Sequence, residues 1–403
     1  MNENLARPRL VIAVNSAIAL GFLQGQLQFF HNRGFDVTVL CPKRRKDEWE
    51  VERPEGVPTI EVTLEREIAP LQDLVTLWRL GRIMRELRPT VTNVGTPKAG
   101  LLGGFAAWLN RVPCRFYTLH GLRFETTKGL KRRILVYADR LACRFAHRVI
   151  CVSQSVREKA IASGLTTWER TAVFGAGSCN GVDASRFAAT PEMKQRAAEL
   201  RRRLGIPEQA PVALFVGRLT CDKGIPELMQ AFLRLDNQFP DLRLLLVGCF
   251  EDGDPLPFDV RIRLETTERV ILAGAVNDTR PYYAIADVLV LPSHREGLPT
   301  VILEAQAAGK PVVGASATGI VDLVTEGETG LLFPVGDVTA LAKALAKLIS
   351  DKGFATKLGL AGQEQVQRDF RQEQIWQALH REYLEVLQWK ESPRSSILPQ
   401  LEN

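Results

Sequence analysis

Leu10-Val-Ile-Ala-Val-Asn15 and Pro211-Val-Ala-Leu-Phe-Val216 are the two stretches that decide the fold of this chain. Both are short and almost entirely apolar, which is typical of strands buried on both faces of a parallel sheet. Each is followed by the pattern of a helix and then of a second strand: 22–33 with 35–40, and 226–235 with 242–247. A β-α-β unit therefore occurs twice, which predicts an α/β fold with two parallel sheets.

Further strand patterns extend both sheets. They lie at 90–94, 115–119, 149–152 and 171–174 in the first half, and at 270–272, 288–291, 311–314 and 330–333 in the second half. Helical patterns such as 74–87 separate them, so helices should cover both faces of each sheet.

The chain of 403 residues is long enough for two or three domains. We predict an N-terminal α/β domain at residues 1–190 and a C-terminal α/β domain at 206–370, linked by the polar helical segment 192–204. A last helix at 371–390 should pack back on the first domain. Its apolar stripe consists of Ile375, Trp376, Leu379, Tyr383, Leu384 and Leu387.

The charge of the chain is unevenly distributed. Residues 1–150 contain 24 Lys and Arg against 14 Asp and Glu, whereas residues 151–403 contain 28 against 32. The hydrophobic fraction of 45% and the mean hydropathy of −0.05 exclude disordered, collagen-like and polytopic membrane proteins. The basic N-terminal part indicates an anionic partner, either nucleic acid or a membrane surface.

Segment 128–148 carries much of this charge and mixes cationic with apolar residues at near-helical spacing. It fits a helix with a solvated charged face, and it fits equally well a helix that contacts anionic headgroups or a lipid diphosphate. Nucleic acid is the weaker hypothesis, because no aromatic-interleaved basic groove or known binding motif accompanies the charge.

Seven cysteines form no C-x-x-C pair and mostly lie in apolar runs, which predicts buried, reduced thiols and a cytoplasmic protein. The apolar stretch 10–23 after Arg7 and Arg9 resembles an export signal. Asn15 and Ser16 interrupt it, however, and the stretch completes a β-α-β unit, so we favour a structural role.

The segment 293–309 carries the most chemistry, with Glu296 and Glu304 eight positions apart. Thr300 and Glu304 share one face of a predicted helix. The helix N-terminus would present backbone N–H groups to phosphate or sugar oxygens, and Glu304 could accept hydrogen bonds from a diol. The residues that form this N-terminus are Gly297, Leu298, Pro299 and Thr300.

A second cluster follows the strand at 211–216. Arg218 offers a planar guanidinium for a diphosphate, and Lys223 offers a compact charge five residues later. In an open α/β sheet ligands bind at this edge of the strands. Because 293–309 provides an anion site in the same domain, we interpret the two clusters as one nucleotide-diphosphate site.

These residues resemble glycosyltransferase family 4. The resemblance rests on Gly217-Arg218, Lys223-Gly224, the glutamates 296 and 304 and the segment 330–334, and it runs over nearly the whole chain. It implies the GT-B fold, in which two Rossmann-like domains face each other across a cleft, and a retaining enzyme. It further implies that the arginine and lysine bind the donor diphosphate, the first glutamate contacts the donor sugar, and the second holds the ribose hydroxyls. The loop at 272–276, ending at Val276, is similar to the base-contacting loop of the family.

The first half resembles a subgroup that acts in bacterial surface polysaccharide or lipid-linked oligosaccharide assembly. The motifs include Gly25-Gln26, 95–100 with Lys98, and 118–123 with His120. The resemblance implies a UDP-sugar donor, an acceptor on a polyprenyl diphosphate, and acceptor-side roles for these four residues. His120 is expected at the cleft, in contact with the donor sugar or the acceptor. The enzyme is then cytoplasmic and peripheral on the inner face of the membrane.

No metal or other cofactor is expected. Asp252-Gly-Asp254 spells a D-x-D pattern, which we interpret as a turn.

Three alternative functions remain for the fold: a nucleotide-sugar epimerase, a dehydrogenase and a non-catalytic membrane adaptor. The dehydrogenase lacks a G-x-G-x-x-G motif after the first strand, and the adaptor would not need both glutamates, Arg218 and Lys223.

Overall fold

The computed structural model describes residues 7–14, 17–43, 56–63, 69–177, 180–251 and 253–391. Asn15, Ser16 and Asp252, which the sequence interpretation used, lie outside this part of the chain.

The N-terminal domain is built on a seven-stranded sheet in which every neighbouring pair is parallel. The strand order is β3-β2-β1-β4-β5-β6-β7. The strands are β1 (Arg9–Ala13), β2 (Asp36–Cys41), β3 (Thr59–Glu61), β4 (Val91–Gly95), β5 (Cys114–Leu119), β6 (Arg148–Cys151) and β7 (Thr171–Ala172). The strand at β1 supports the structural role of the stretch that resembles an export signal.

Helices cover both faces of this sheet. They are α1 (Gln26–Asn32), α2 (Pro70–Leu87), α3 (Pro97–Leu109), α4 (Gly129–Phe145) and α5 (Gln154–Ala162). One core includes apolar side chains from α2, α3, α4 and α5, and the other includes side chains from α1 on the opposite face. The helices α2, α3 and α4 contact one another in that order and form one layer.

The C-terminal domain repeats this plan with a six-stranded parallel sheet in the order β10-β9-β8-β11-β12-β13. Its strands are β8 (Val212–Val216), β9 (Arg243–Val247), β10 (Val270–Gly274), β11 (Val288–Leu291), β12 (Val312–Ala315) and β13 (Gly330–Phe333). Its helices are α6 (Pro191–Arg203), α7 (Ile225–Arg234), α8 (Phe258–Thr266), α9 (Arg280–Ile285), α10 (Thr300–Ala307), α11 (Val338–Ser350) and α12 (Lys352–Asp369). The α/β fold with two Rossmann-like halves is therefore confirmed.

The last helix, α13 (Gln372–Glu391), packs on the N-terminal sheet. Its side chains Ile375, Leu379, Tyr383 and Val386 are buried in the core on the α1 face. Tyr383 accepts a hydrogen bond from the Asn93 amide of β4 at 2.7 Å. Leu384 of the predicted stripe is instead 37% exposed, because the buried face passes through Val386.

The cysteine prediction is partly wrong. Cys41, Cys114, Cys143 and Cys151 are buried, as expected for residues in or beside the N-terminal sheet. Cys221 is half-buried and Cys249 is exposed, because both lie in loops that follow strands of the C-terminal sheet.

Candidate active site

The candidate site lies where the order of the C-terminal sheet reverses, between β8 and β11. In open parallel sheets this switch point leaves a crevice at the carboxyl ends of the strands. Arg218 and Lys223 lie in the loop after β8, and Glu296 lies in the loop after β11. The two loops touch at Gly224 and Pro292. Their backbones are so close that a Cβ added to Gly224 would lie 2.2 Å from the Pro292 carbonyl oxygen. A residue without a side chain, at φ 71°, therefore allows this approach.

Lys223 and Glu296 form an ion pair within this crevice. The distance from Lys223 Nζ to Glu296 Oε1 is 2.5 Å, and the side chains are only 16% and 13% exposed. Burial limits screening by water, so this contact fixes the position of both groups more firmly than a surface pair would. The structure thus brings together two predicted residues from separate motifs.

Arg218 has carboxylate partners that the sequence interpretation did not identify. It forms an ion pair with Glu251 and lies 3.8 Å from Asp222. Asp222 also accepts a hydrogen bond from Arg295 at 3.0 Å. Burial opposes ionisation of Asp222, but the hydrogen bond from Thr220 and the nearby cations lower its pKa. Three cations and three carboxylates therefore form one network that includes the predicted diphosphate-binding residues.

The N-terminus of α10 adjoins this network. Pro299 precedes the helix and Thr300 begins it, without a side-chain cap. The first N–H groups of a helix have no acceptor within the helix, so this end can bind an anion. Gly297 and Leu298 lead into it, and Leu298 packs against the cores of both domains. These predicted residues thus lie at the boundary between the domains.

Glu304 lies one turn into α10 and faces α9. Its Oε2 accepts a hydrogen bond from the Tyr283 hydroxyl at 2.8 Å. Burial raises the pKa of Glu304 to about 7, although the hydrogen bond from Tyr283 and the charge of Arg186 oppose the shift. As a whole residue Glu304 is half-buried, at the side of α10 that faces α9.

The raised pKa predicts a pH dependence of nucleotide binding. Ionised Glu304 accepts hydrogen bonds from a diol more strongly than the protonated acid does, and its ionised fraction rises as the pH passes through about 7. For a nucleoside diphosphate held through its ribose hydroxyls, we expect the Kd to fall by up to about tenfold between pH 6 and pH 8. Calorimetric titration at several pH values measures it. The Glu304→Gln variant should bind weakly with a flat pH profile; an unchanged slope in that variant would assign the effect to another group.

Val276 lies beyond β10, at some distance along the chain from this network. It lines a cavity between α6 and α9 together with Arg196, Asp278 and Tyr282. Arg196 donates a hydrogen bond to Asp278 at 2.7 Å. The base-contacting role of Val276 therefore remains a prediction.

On the N-terminal side, His120 and Gln26 line a common cavity at the carboxyl ends of β1, β4 and β5. Its wall includes Asn93, Gly95, Thr118, Ile12, Ala13, Val14, Leu23, Ile150, Phe174 and Leu379. Burial lowers the pKa of His120 to about 4, so the imidazole is neutral near pH 7 and can donate one hydrogen bond and accept another. The structure thus joins two of the predicted acceptor-side residues.

The other two acceptor-side residues lie elsewhere. Gly25 packs under the Trp376 ring of α13, where a Cβ would lie 2.5 Å from the indole. Lys98 lies in the first turn of α3 and forms an ion pair with Asp73 of α2 at 2.7 Å. Neither residue lines the cavity of His120.

The two domains meet directly beside the site. Thr126 accepts a hydrogen bond from Arg295 at 3.0 Å, and Glu125 accepts one from Thr318 at 2.8 Å. The backbone N–H of Ser155, in the first turn of α5, donates to Asp322 at 2.9 Å. The His120 cavity and the ion-pair network therefore lie on opposite sides of one interdomain contact, which sequence reasoning could predict only as a cleft.

Within the described residues, no group of His, Cys, Asp or Glu side chains is arranged to hold a metal ion. The backbone N–H of Asp254 in the D-x-D pattern lies 3.4 Å from the Glu251 carbonyl oxygen, which is the i to i+3 spacing of a turn. The Asp254 carboxylate also accepts a hydrogen bond at 2.7 Å from the Asp222 N–H in the loop after β8. Its partner in the pattern, Asp252, is not among the described residues.

Two protein-family descriptions match the chain. "Glycosyl transferases group 1" matches residues 197–365, and "Glycosyl transferase 4-like domain" matches residues 24–177. The capsular polysaccharide biosynthesis glycosyltransferase CapM of Staphylococcus aureus is 31% identical over 373 residues, which cover 93% of this chain and 95% of CapM. An Escherichia coli UDP-Gal:alpha-D-GlcNAc-diphosphoundecaprenol alpha-1,3-galactosyltransferase is 28% identical, covering 81% and 83%.

Solved structures share the fold. The sucrose-phosphate synthase of Thermosynechococcus elongatus has a TM-score of 0.77 at 22% identity, covering 95% of this chain and all of that one. Anabaena Alr3699/HepE in complex with UDP-glucose has a TM-score of 0.77 at 23% identity, covering 94% and 99%. These likenesses confirm the two-domain GT-B architecture, and none of the four named proteins favours an epimerase.

Proposed function

Because the chain belongs to glycosyltransferase family 4, we propose that it transfers a sugar from a UDP-sugar to a lipid-linked saccharide with retention of the anomeric configuration. One observation carries this proposal: Arg218, Lys223 and Glu296 converge at the switch point of one domain, and His120 faces the same interdomain contact from the other. A donor bound in the C-terminal domain would then meet an acceptor bound in the N-terminal domain.

The donor side is supported by charge. Arg218 and Lys223 can neutralise a diphosphate, and the α10 N-terminus adds backbone N–H groups. Glu304 would accept hydrogen bonds from the ribose hydroxyls. UDP as the nucleotide is supported by the E. coli relative, whose name specifies UDP-Gal, and by HepE, whose structure contains UDP-glucose.

In the transfer itself, the acceptor hydroxyl attacks the anomeric carbon on the face that the diphosphate leaves. The new C–O bond forms as the bond to the diphosphate breaks, and the acceptor proton passes to a diphosphate oxygen. Arg218 and Lys223 stabilise the negative charge that develops on the leaving group. Neutral His120 orients a sugar hydroxyl, and the interdomain contact excludes water that would hydrolyse the donor. We expect no metal requirement, since the two side chains supply positive charge.

The acceptor side is supported by the basic N-terminal domain and by the E. coli relative, whose name specifies a diphosphoundecaprenol-linked acceptor. We therefore propose a polyprenyl-diphosphate saccharide in surface-polysaccharide synthesis, reached at an anionic membrane surface. Among the described residues, no helix combines the length and apolar character needed to cross a bilayer.

A panel assay tests the proposal. The purified chain is incubated with individual UDP-sugars and polyprenyl-diphosphate saccharides, and product formation and anomeric configuration are followed by NMR. We expect one donor to give an α-linked product from an α-linked donor, and Arg218→Ala to abolish it. An inverted product would contradict the retaining mechanism. Conversion of a UDP-sugar without acceptor into its epimer would favour the epimerase instead.

A further inference from the structure

The layer formed by α2, α3 and α4 exposes apolar side chains at a density unusual for a soluble surface. On α2, Leu71, Leu74, Val75 and Trp78 are 83%, 63%, 63% and 67% exposed. Their spacing places all four on one helix face, while Thr76, Leu80, Ile83 and Met84 bury the other face. The exposed stripe is therefore a surface without an intramolecular partner in the described part of the chain.

The neighbouring helices continue this surface. α3 carries no charged residue after Lys98, and its Trp108 and Leu109 are exposed. On α4, Leu130, Ile134 and Tyr137 are 45% to 71% exposed at helical spacing. Because the three helices form one layer on one sheet face, their outward sides face the same direction. Exposed apolar patches of this kind mark protein or membrane contacts.

Cations accompany the apolar side chains. Lys128, Lys131, Arg132 and Arg133 are exposed at the beginning of α4, and Arg79 is exposed on α2. Apolar side chains flanked by lysine and arginine are typical of helices that lie in a membrane interface with anionic lipids. The same charges oppose pairing with a second copy of the chain through this face, since like charges would meet.

The topology places the surface at the acceptor side of the site. Each of these helices follows a strand and runs antiparallel to it, so its N-terminus lies at the carboxyl edge of the sheet. His120 follows β5 at that edge, and the ion pair of Lys98 with Asp73 shows that α3 and α2 begin side by side there. Seven exposed apolar residues, 71–78 on α2 and 130–137 on α4, lie in the first halves of their helices.

We propose that the outward face of α2 and α4, in the first halves of these helices, inserts its exposed apolar side chains into the interface of an anionic membrane. This orientation holds the His120 cavity close to the lipid headgroups, within reach of a diphosphate anchored in the bilayer. The inference rests on the proposed lipid-linked acceptor for its purpose, but membrane binding itself is measured without substrate.

The test uses the full chain and co-sedimentation with vesicles of phosphatidylcholine, with or without phosphatidylglycerol. We expect binding to the anionic vesicles, and a decrease of at least about tenfold in the partition coefficient for the double variant Leu74→Ser, Trp78→Ser. The matched control is Phe258→Ser, since Phe258 is 78% exposed on α8 of the other domain. Lys131→Gln with Arg133→Gln should weaken binding to the anionic vesicles alone.

Melting temperatures of all variants should stay unchanged without vesicles, because the replaced side chains are exposed. Equal partitioning of the double variant and the wild type, or absence of vesicle binding by the wild type, would overturn the inference. The inference would also be overturned if sedimentation velocity showed a dimer for the wild type and a monomer for the double variant. Transfer to a detergent-solubilised acceptor reports separately on the proposed function. Vesicle binding without any transfer would contradict the proposed function and leave the membrane inference intact.

Discussion

Replacing Lys223 by alanine is expected to lower kcat/KM for sugar transfer by about 100-fold to 1000-fold, the usual effect of removing one preorganised charge from a site of developing negative charge. Two effects add. The leaving diphosphate loses a cation, and Glu296 loses the ammonium group that lies 2.5 Å from its carboxylate. The uncompensated carboxylate would then repel the diphosphate. Steady-state kinetics with a fixed acceptor measures the loss.

Two further variants make this experiment specific. Lys223→Arg keeps the charge but replaces a compact ammonium with a planar guanidinium, so it should restore only part of the activity. The control Lys343→Ala removes an exposed lysine from α11 and should leave the rate unchanged. If Lys223→Ala retained activity within about threefold of the wild type, the lysine would have no role in stabilising the leaving group.

Charge arithmetic alone would place the donor in the N-terminal domain, whereas the proposed donor site lies in the C-terminal domain. The excess of cations lies in the first 150 residues, whereas residues 151–403 are slightly acidic. The structure shows why net charge misleads here, because each cation of the network has a carboxylate beside it. Arg218 pairs with Glu251, and Lys223 pairs with Glu296. Arg295 pairs with Asp222, which also lies near Arg218. A diphosphate that entered this network would have to replace those carboxylates as partner of the cations, so under the proposed function local geometry and not net charge selects the donor site.

Short motifs made much of the fold and site predictable. The strand patterns at 288–291 and 330–333 coincide with β11 and β13, because buried parallel strands are continuous apolar runs. The glutamates of 293–309 could be proposed as site residues because both lie within one loop and one helix. The short edge strand β3 was missed, since it contains only three residues, none of them buried.

Contacts between distant segments were not predictable from local pattern. Gly25 matched an acceptor-side motif, yet its neighbour in space is Trp376, 351 positions later in the chain. Glu251 was not recognised because its partner Arg218 lies on another loop. The apolar stripe of α2 has the same periodicity as a buried face, so sequence alone cannot tell which side of the helix meets the sheet.

A substitution of Gly297 should have an effect of similar size through a different cause. A Cβ at this position would lie 1.9 Å from the His120 carbonyl oxygen, which belongs to the other domain. Gly121 and Gly319 crowd the same point, where added Cβ atoms would lie 3.3 Å from the Gly297 nitrogen and 2.3 Å from its oxygen. Gly121 and Gly297 therefore allow the domains to touch, and Gly319 allows two loops of the C-terminal domain to pack closely beside that contact.

Gly297→Ala should force the domains apart by more than the reach of the bridging hydrogen bonds. We expect kcat for transfer to fall by about 100-fold, because a displaced reacting group loses the benefit of orientation. UDP binding to the C-terminal domain should weaken far less, which separates closure from donor affinity. The control Gly353→Ala adds a methyl group at an ordinary contact distance of 3.5 Å on α12 and should change neither quantity. Full activity of Gly297→Ala would show that transfer does not need this contact, whereas equal losses of kcat and UDP affinity would place the defect in the donor site.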